Sequence, residues 1–416
     1  MKFINLTYLV NDVRLGVYDI ILTYKRRWKM KKGNFTKLLA IAMSAIMIAF
    51  TGCSGGSSAA TETKPQSTED TTKTEKEIPT LNVGWSSELH TGNMHLNFLK
   101  PELFENNPVH LKPISDSQLE LVKDGEIIAY INYMYSKGAA ESTTLMTQGH
   151  MDIAYCSSTA MLTAYDSGVD VSILCPIQSG GVSVVAAADA PYNTFEELVE
   201  HAKKSDKPIV GGYHSAISSP RIVLEYALKD AGLTVTEDAA DYSADVLLMD
   251  LKGISNLIPS LSSGQVELWA GPVPNPQNAE AQGIGKIIAT LDELPEGKWV
   301  DFPCCTMNVR NEIKDKYPEV MQAMVQVTSD VADYAQNNRE ETAELMTEFI
   351  GLDKEVLMQN DTTYQTKITE HFTNGMATYH GAMSEIGKFS GRLKDKPMDE
   401  VMDAVFDFSF VEKVSK

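Results

Sequence analysis

From Ile78 onward, short apolar runs alternate with helix-length amphipathic stretches, and this order constrains the fold more than any other feature of the chain. Strands separated by helices form parallel or mixed sheets covered on both faces, because each parallel neighbour is reached through a crossover that packs back on the sheet. Residues 78–85 (IPTLNVGW) read as a strand entering a polar loop with Ser86, Ser87 and His90. A helix is expected over about 138–147, a strand over 151–156, and a second helix behind Ser157-Ser158-Thr159. A strand over 169–176 is broken by Ser179-Gly180-Gly181 before another begins at Val182.

The order repeats from Thr194, with a helix (TFEELVEHAKK) and a strand over 208–213. The next helix opens at Pro220, with Ser218 or Ser219 as cap and Gly232 at its exit. IPSLSSG (258–264) leads to a strand over 266–269 and a turn over 271–274. Beyond Pro303 a strand runs through Val309, and the rest is helical, with apolar positions three and four apart in PEVMQAMVQVTSDVADYAQ. If these helices clad the first lobe, residues 80–184 plus 303–416 form lobe I and 185–302 lobe II. The chain then crosses between lobes near 180–188 and 300–306, and the crossings form a hinge.

A chain of 416 residues is long enough for two lobes, and its longest apolar runs fall short of the roughly 20 residues a spanning helix needs. From Cys53 onward 27 basic residues face 54 acidic ones. Such a surface repels phosphate backbones, which excludes nucleic acid as a partner.

The segment MKKGNFTKLLAIAMSAIMIAFTGC, from Met30, has a basic start, an apolar run over 38–50, and then Thr51-Gly52-Cys53. Its shape is that of a secretory signal peptide, and with the terminal cysteine it resembles a bacterial lipoprotein signal over 30–52. That resemblance implies a lipid on Cys53 and a membrane anchor. Residues 1–29 precede the basic region and fit either a start codon assigned too early or a leader extension. Residues 53–79, rich in Ser, Thr, Glu and Lys and without aromatics, read as a disordered tether.

Cys156, Cys175, Cys304 and Cys305 allow either disulfides or buried thiols, and a body this large does not need staples. No cysteine pair has zinc-site spacing, and His90 with His95 fit neither helical ligand spacing, so no metal and no cofactor is expected.

Four stretches together resemble the substrate-binding proteins of nitrate, sulfonate, taurine and pyrimidine-precursor ABC importers: TLMTQGHMDIAY (144–155), residues 212–233, LSSGQVELWAGPVP (261–274) and residues 309–323. The resemblance extends over most of residues 80–416 and implies a two-lobed, type II periplasmic-binding-protein-like α/β fold with a hinge and a ligand cleft. It implies a monomer whose partners are a small molecule, an ABC permease and its ATPase. Its ligand loops map onto Trp85, Ser86 and Ser87; Tyr135 and Ser136; Ser157, Ser158 and Thr159; His214, Ser215 and Ser218; and Trp269 with Pro272. Each serine is equally a cap or turn residue, each tryptophan taken alone is a core residue before it is a ligand platform, and His214 is either an anion contact or a solvated loop residue. Residues 93–137 depart from the family pattern. Cys304-Cys305 are a short counterpart of the longer cysteine run in the eukaryotic pyrimidine synthase of this fold.

Three functions follow: solute capture for import, an enzyme akin to that synthase, or a module presenting its closed form to a receptor. The aromatics near the loops favour an organic solute, and the Ser-rich loops and the helix start at Pro220 suit a sulfonate or carboxylate.

Overall fold

The computed structural model describes residues 78–294 and 297–414. The leader (1–29), the signal (30–52), Cys53 and the tether up to residue 77 lie outside them. Among the described residues no helix is long and apolar enough to cross a membrane.

The chain opens with β1 (Thr80–Trp85), then makes an antiparallel meander of β2 (Val109–Ser115), β3 (Gln118–Lys123) and β4 (Glu126–Tyr135). Helix α1 (Ala139–Thr147) leads to β5 (Ile153–Ser157), and α2 (Ser158–Asp166) to β6 (Val171–Ser179). The second sheet takes β7 (Val182–Ala187), β8 (Ile209–Tyr213), β9 (Val235–Thr236), β10 (Val246–Asp250), β11 (Leu268–Pro272) and β12 (Gly285–Thr290), with α3 (Ser219–Asp230) following β8. Strands β13 (Pro303–Arg310) and β14 (Thr363–Tyr364) return to the first sheet, and α4 (Pro318–Asn337) and α5 (Glu370–Glu385) lie within the C-terminal helical stretch. The resulting orders are β14-β6-β13-β5-β1-β4-β3-β2 and β12-β7-β11-β8-β10-β9. Both sheets belong to one compact unit, Glu75–Lys416.

The fold is the mixed, two-sheet α/β architecture that the alternation predicts. Within the first sheet β1 is parallel to β4 and β5, and within the second β8 is parallel to β10 and β11. Strand β5 is buried at every position and β6 likewise, the pattern of a strand covered on both faces. Helix 195–202 starts where Thr194 accepts from the Glu197 N–H at 3.2 Å, and Gly232, at φ +79°, ends the stretch after α3.

Three local expectations differ. The family-divergent segment 93–137 is occupied mainly by the β2–β4 meander, turned at Asp124-Gly125, both at positive φ. Strand β11 continues through Pro272 instead of turning at Gly271. Ser218 stands at the N-cap of α3 but donates its hydroxyl to the Ser215 carbonyl at 2.8 Å, leaving the helix without a side-chain cap.

The chain passes from β6 to β7 through Gly180 and Gly181 alone, at φ +70° and +72°. A Cβ on Gly181 would lie 2.5 Å from Thr362 Oγ1, 2.7 Å from His90 Nε2 and 3.2 Å from a Val273 methyl, whereas one on Gly180 would meet only the Asp361 carbonyl at 3.3 Å. Left-handed backbone costs an L-residue roughly 1–2 kcal/mol before any clash. Gly181→Ala is therefore expected to lower stability by about 2 kcal/mol or more, and Gly180→Ala by less, as read from urea midpoints; equal effects would show that the crowding around Gly181 is easily relieved.

Candidate functional site

The carboxyl ends of β1, β4 and β5 from one sheet, and of β8 and β11 from the other, converge on one cavity of about 40 Å³. Its wall includes Ser86, Glu88, His90 and Thr91 after β1, Ser136 after β4, and Ser157 at the end of β5. His214, Ser218 and Ser219 follow β8, Pro272 ends β11, and Cys304 and Cys305 project from β13. Loops at the carboxyl ends of strands are where α/β folds present ligand groups. Adjoining it is a larger vestibule of about 560 Å³ that shares Gly138, Ala139 and His214 with the cavity and adds Ser215, Asp250 and Lys252.

The loop after β1 is organised around one carboxylate. Glu88 Oε1 accepts from Ser86 Oγ at 2.8 Å and Thr91 Oγ1 at 3.0 Å, and Oε2 accepts from the His90 N–H at 3.0 Å. Ser158 donates to the Cys304 carbonyl at 3.1 Å, and Thr159 donates to the Ile217 carbonyl at 3.0 Å, which ties the start of α2 to the loop before α3. Neither α2 nor α3 has a side-chain cap, so first-turn N–H groups of both helices are left without a side-chain acceptor where Ser157, Ser218, Ser219 and Pro220 line the cavity.

Of the residues named from sequence, Ser86, Ser136, Ser157, His214, Ser218 and Pro272 line the cavity, and Ser215 lines the vestibule. Ser158 and Thr159 are fully buried behind it, in the bonds just described. Ser87 is half-buried outside the wall, and Tyr135, at the end of β4, is 54% exposed. The two tryptophans depart furthest from a platform role. Trp85 stacks on Tyr133 at 4.2 Å inside the first sheet's core, and Trp269 sits in a separate core with Val185, Leu251, Leu257 and Leu261; neither reaches the cavity. Side chains alternate along a strand, and at these two positions the ring falls on the packed face.

Sequence spacing missed a cluster built from distant positions. His90 Nδ1 lies 3.4 Å from Cys304 Sγ and 3.8 Å from Cys305 Sγ, and the two sulfurs are 3.8 Å apart. Neighbouring strand residues normally point to opposite faces, but the β13–β6 register slips on both sides of Cys305, and the slip accompanies two adjacent thiols on one side. On the imidazole's far side Nε2 donates to the Gly181 carbonyl at 2.7 Å. The four cysteines named from sequence are all buried free thiols, the second of the two readings left open above.

Burial by itself would lower the His90 pKa, but the Cys304 sulfur against it, aided by Glu88 and the Gly181 carbonyl, raises it to about 9. Cys304 is held well below the usual thiol range, first by the hydrogen donated from Cys305 and then, against the cost of burial, by His90. Cys305 is raised because it gives that hydrogen and is buried. His214 is lowered to about 4, chiefly by burial and then by the charge on His90, so it is a neutral imidazole whose buried Nδ1 has no hydrogen-bond partner.

Solved structures share the fold. A ligand-binding component of an ABC-type import system from Staphylococcus aureus with zinc bound superposes with TM-score 0.60 at 16% identity, over 81% of this chain and 99% of that one. The alkanesulfonate-binding protein of Xanthomonas axonopodis bound to MOPS gives 0.57 at 12%, over 75% and 94%. The periplasmic nitrate-binding protein of Synechocystis gives 0.60 at 13%, over 81% and 88%. The chain thus has the two-lobed fold of periplasmic solute-binding proteins. Residues 126–351 match the NMT1-like family, and the chain belongs to that family. No curated protein matches its sequence.

A histidine whose folded-state pKa is lowered binds its proton less readily than the unfolded chain does, so its stabilising contribution is complete above the unfolded value near 6.5 and is lost as pH falls towards 4. His214 and His95, both lowered to about 4 with burial the leading cause, place that window between about pH 4 and 6.5. Stability is expected to rise with pH across it, and the slope to flatten in a His95→Gln/His214→Gln variant; an unchanged slope in urea titrations would assign the effect to other groups.

Proposed function

We propose that this protein is an extracytoplasmic solute-binding lipoprotein that captures a small organic solute between two lobes and delivers it to the permease and ATPase of an ABC importer. The proposed lobes are residues 80–184 with 303–416, and 185–302, with residues 182–184 at the start of β7 already paired in the second sheet. The observation that carries the reading is the cavity itself: strand ends from both sheets meet there, and His214 Nδ1 is buried in its wall without a partner. A buried unpaired polar group is costly, and a ligand hydrogen bond offsets that cost.

The uncapped starts of α2 and α3 favour an anionic head group, since free N–H groups and the helix dipole both attract negative charge. With Trp85 and Trp269 in the cores, the wall's tyrosine is Tyr155, a core residue 1% exposed whose hydroxyl is held by Thr328 Oγ1 at 2.7 Å, and no tryptophan is there for a planar pyrimidine to stack on. A sulfonate or taurine-like solute therefore fits better than a pyrimidine precursor, with the organic tail towards the vestibule. The Xanthomonas structure, with its bound sulfonate buffer, supports the same class.

A thermal-shift screen of the purified protein against alkanesulfonates, taurine, pyrimidines, nitrate and carboxylates tests this. A solute at one hundred times its dissociation constant adds about 2.7 kcal/mol by linkage. Sulfonates are expected to raise the melting temperature most; a shift confined to inorganic anions or to pyrimidines would contradict the proposal. For the anchor, Cys53→Ser is expected to release the protein into the medium with solute affinity unchanged, and a variant retained on the membrane would refute lipidation at that residue.

A further inference from the structure

The His90–Cys304–Cys305 cluster has the edge lengths of one face of a metal tetrahedron. A zinc-like ion binds sulfur at about 2.3 Å and imidazole nitrogen at about 2.0–2.1 Å, and tetrahedral angles then set sulfur–sulfur edges at about 3.8 Å and nitrogen–sulfur edges at about 3.6 Å. The structure has 3.8 Å between the sulfurs and 3.4 and 3.8 Å from the nitrogen to each. All three side chains are buried, and their donor atoms lie within 4.8 Å of one another.

The outer contacts point the same way. A carbonyl oxygen can only accept, so the hydrogen on His90 Nε2 is fixed towards Gly181, and Nδ1 is the nitrogen turned to the sulfurs. A backbone carbonyl on the far ring nitrogen is the usual support of a metal-bound histidine. Two thiolates neutralise a divalent cation, which makes burial of the whole set affordable. Glu88 does not belong to the cluster of donor atoms, which comprises His90, Cys304 and Cys305, and its oxygens serve the loop after β1.

We propose that His90 Nδ1, Cys304 Sγ and Cys305 Sγ form a three-ligand site for a borderline-soft divalent ion of the zinc class, with its fourth position open to the cavity. The three ligands are assigned independently of the solute-binding proposal. Only the fourth position, as the contact for an anionic atom of the solute, rests on it. Three protein ligands with one open position is the arrangement of zinc sites that exchange a water for another ligand.

The full-length protein, purified under reducing conditions and stripped with chelator, is titrated with Co²⁺ and then Zn²⁺. One equivalent of cobalt is expected, with thiolate-to-cobalt charge-transfer absorption and the intense ligand-field bands of a four-coordinate site, displaced by one equivalent of zinc. His90→Ala, Cys304→Ser and Cys305→Ser should each weaken binding by about tenfold or more while keeping the native circular dichroism. Cys175→Ala, a buried thiol away from the cavity, should keep the wild-type affinity. Absence of a thiolate band with both thiols still titratable, conversion of the pair to a disulfide whether or not metal is added, or a wild-type spectrum in His90→Ala would each overturn the site. Sulfonate binding to the metal-free protein is scored separately. Sulfonate binding without metal binding removes this proposal alone, and metal binding without any solute removes only the solute reading.

Discussion

The hydrogen bond from His90 Nε2 to the Gly181 carbonyl, at 2.7 Å, joins the loop after β1 to the two-glycine crossing between the sheets. Gly181 is at once the left-handed turn that lets β6 become β7 and the acceptor that orients His90. A side chain there would strike the same imidazole, so the crossing and the site make one demand on the backbone. From this point the parallel strands of each sheet deliver their carboxyl ends to a common space, and the Glu88-centred loop, the starts of α2 and α3, and the slipped register of β13 enclose it.

The electrostatics of that space follow from its burial. His214 is pushed down to about 4 by burial and then by His90, whereas His90, against the cost of burial, is raised to about 9 by the Cys304 sulfur and Glu88 beside it. His90 has partners on both ring nitrogens while His214 Nδ1 has none, so a ligand's main polar opportunity is His214 and the helix starts. The acidic exterior of the chain therefore says little about the charge preference of the cavity.

Much of the architecture was legible in the sequence because it rests on local signals. Alternating strand and helix periods, Thr194 at a helix start, Gly180-Gly181 at the crossing and Gly232 after α3 each act over a few residues. The β2–β4 meander was less legible, although Asp124-Gly125 between alternating residues carries a hairpin signal, because residues 93–137 depart from the family pattern. Site residues after strand ends, such as Ser86, Ser157 and His214, could be read from strand position. Trp85 and Trp269 could not, since the face a strand residue presents depends on which sheet face is packed. The His90–Cys304–Cys305 cluster joins positions up to 215 residues apart and depends on a register slip, and no spacing rule registers either.

Strand ends from both sheets close on one cavity, proposed to hold the solute. A crystal structure of the protein with the solute that stabilises it most would test that claim directly. The solute's anionic group is expected in the cavity, within hydrogen-bond distance of His214 Nδ1 and at the starts of α2 and α3. A solute held elsewhere, with His214 Nδ1 still unpartnered, would contradict it.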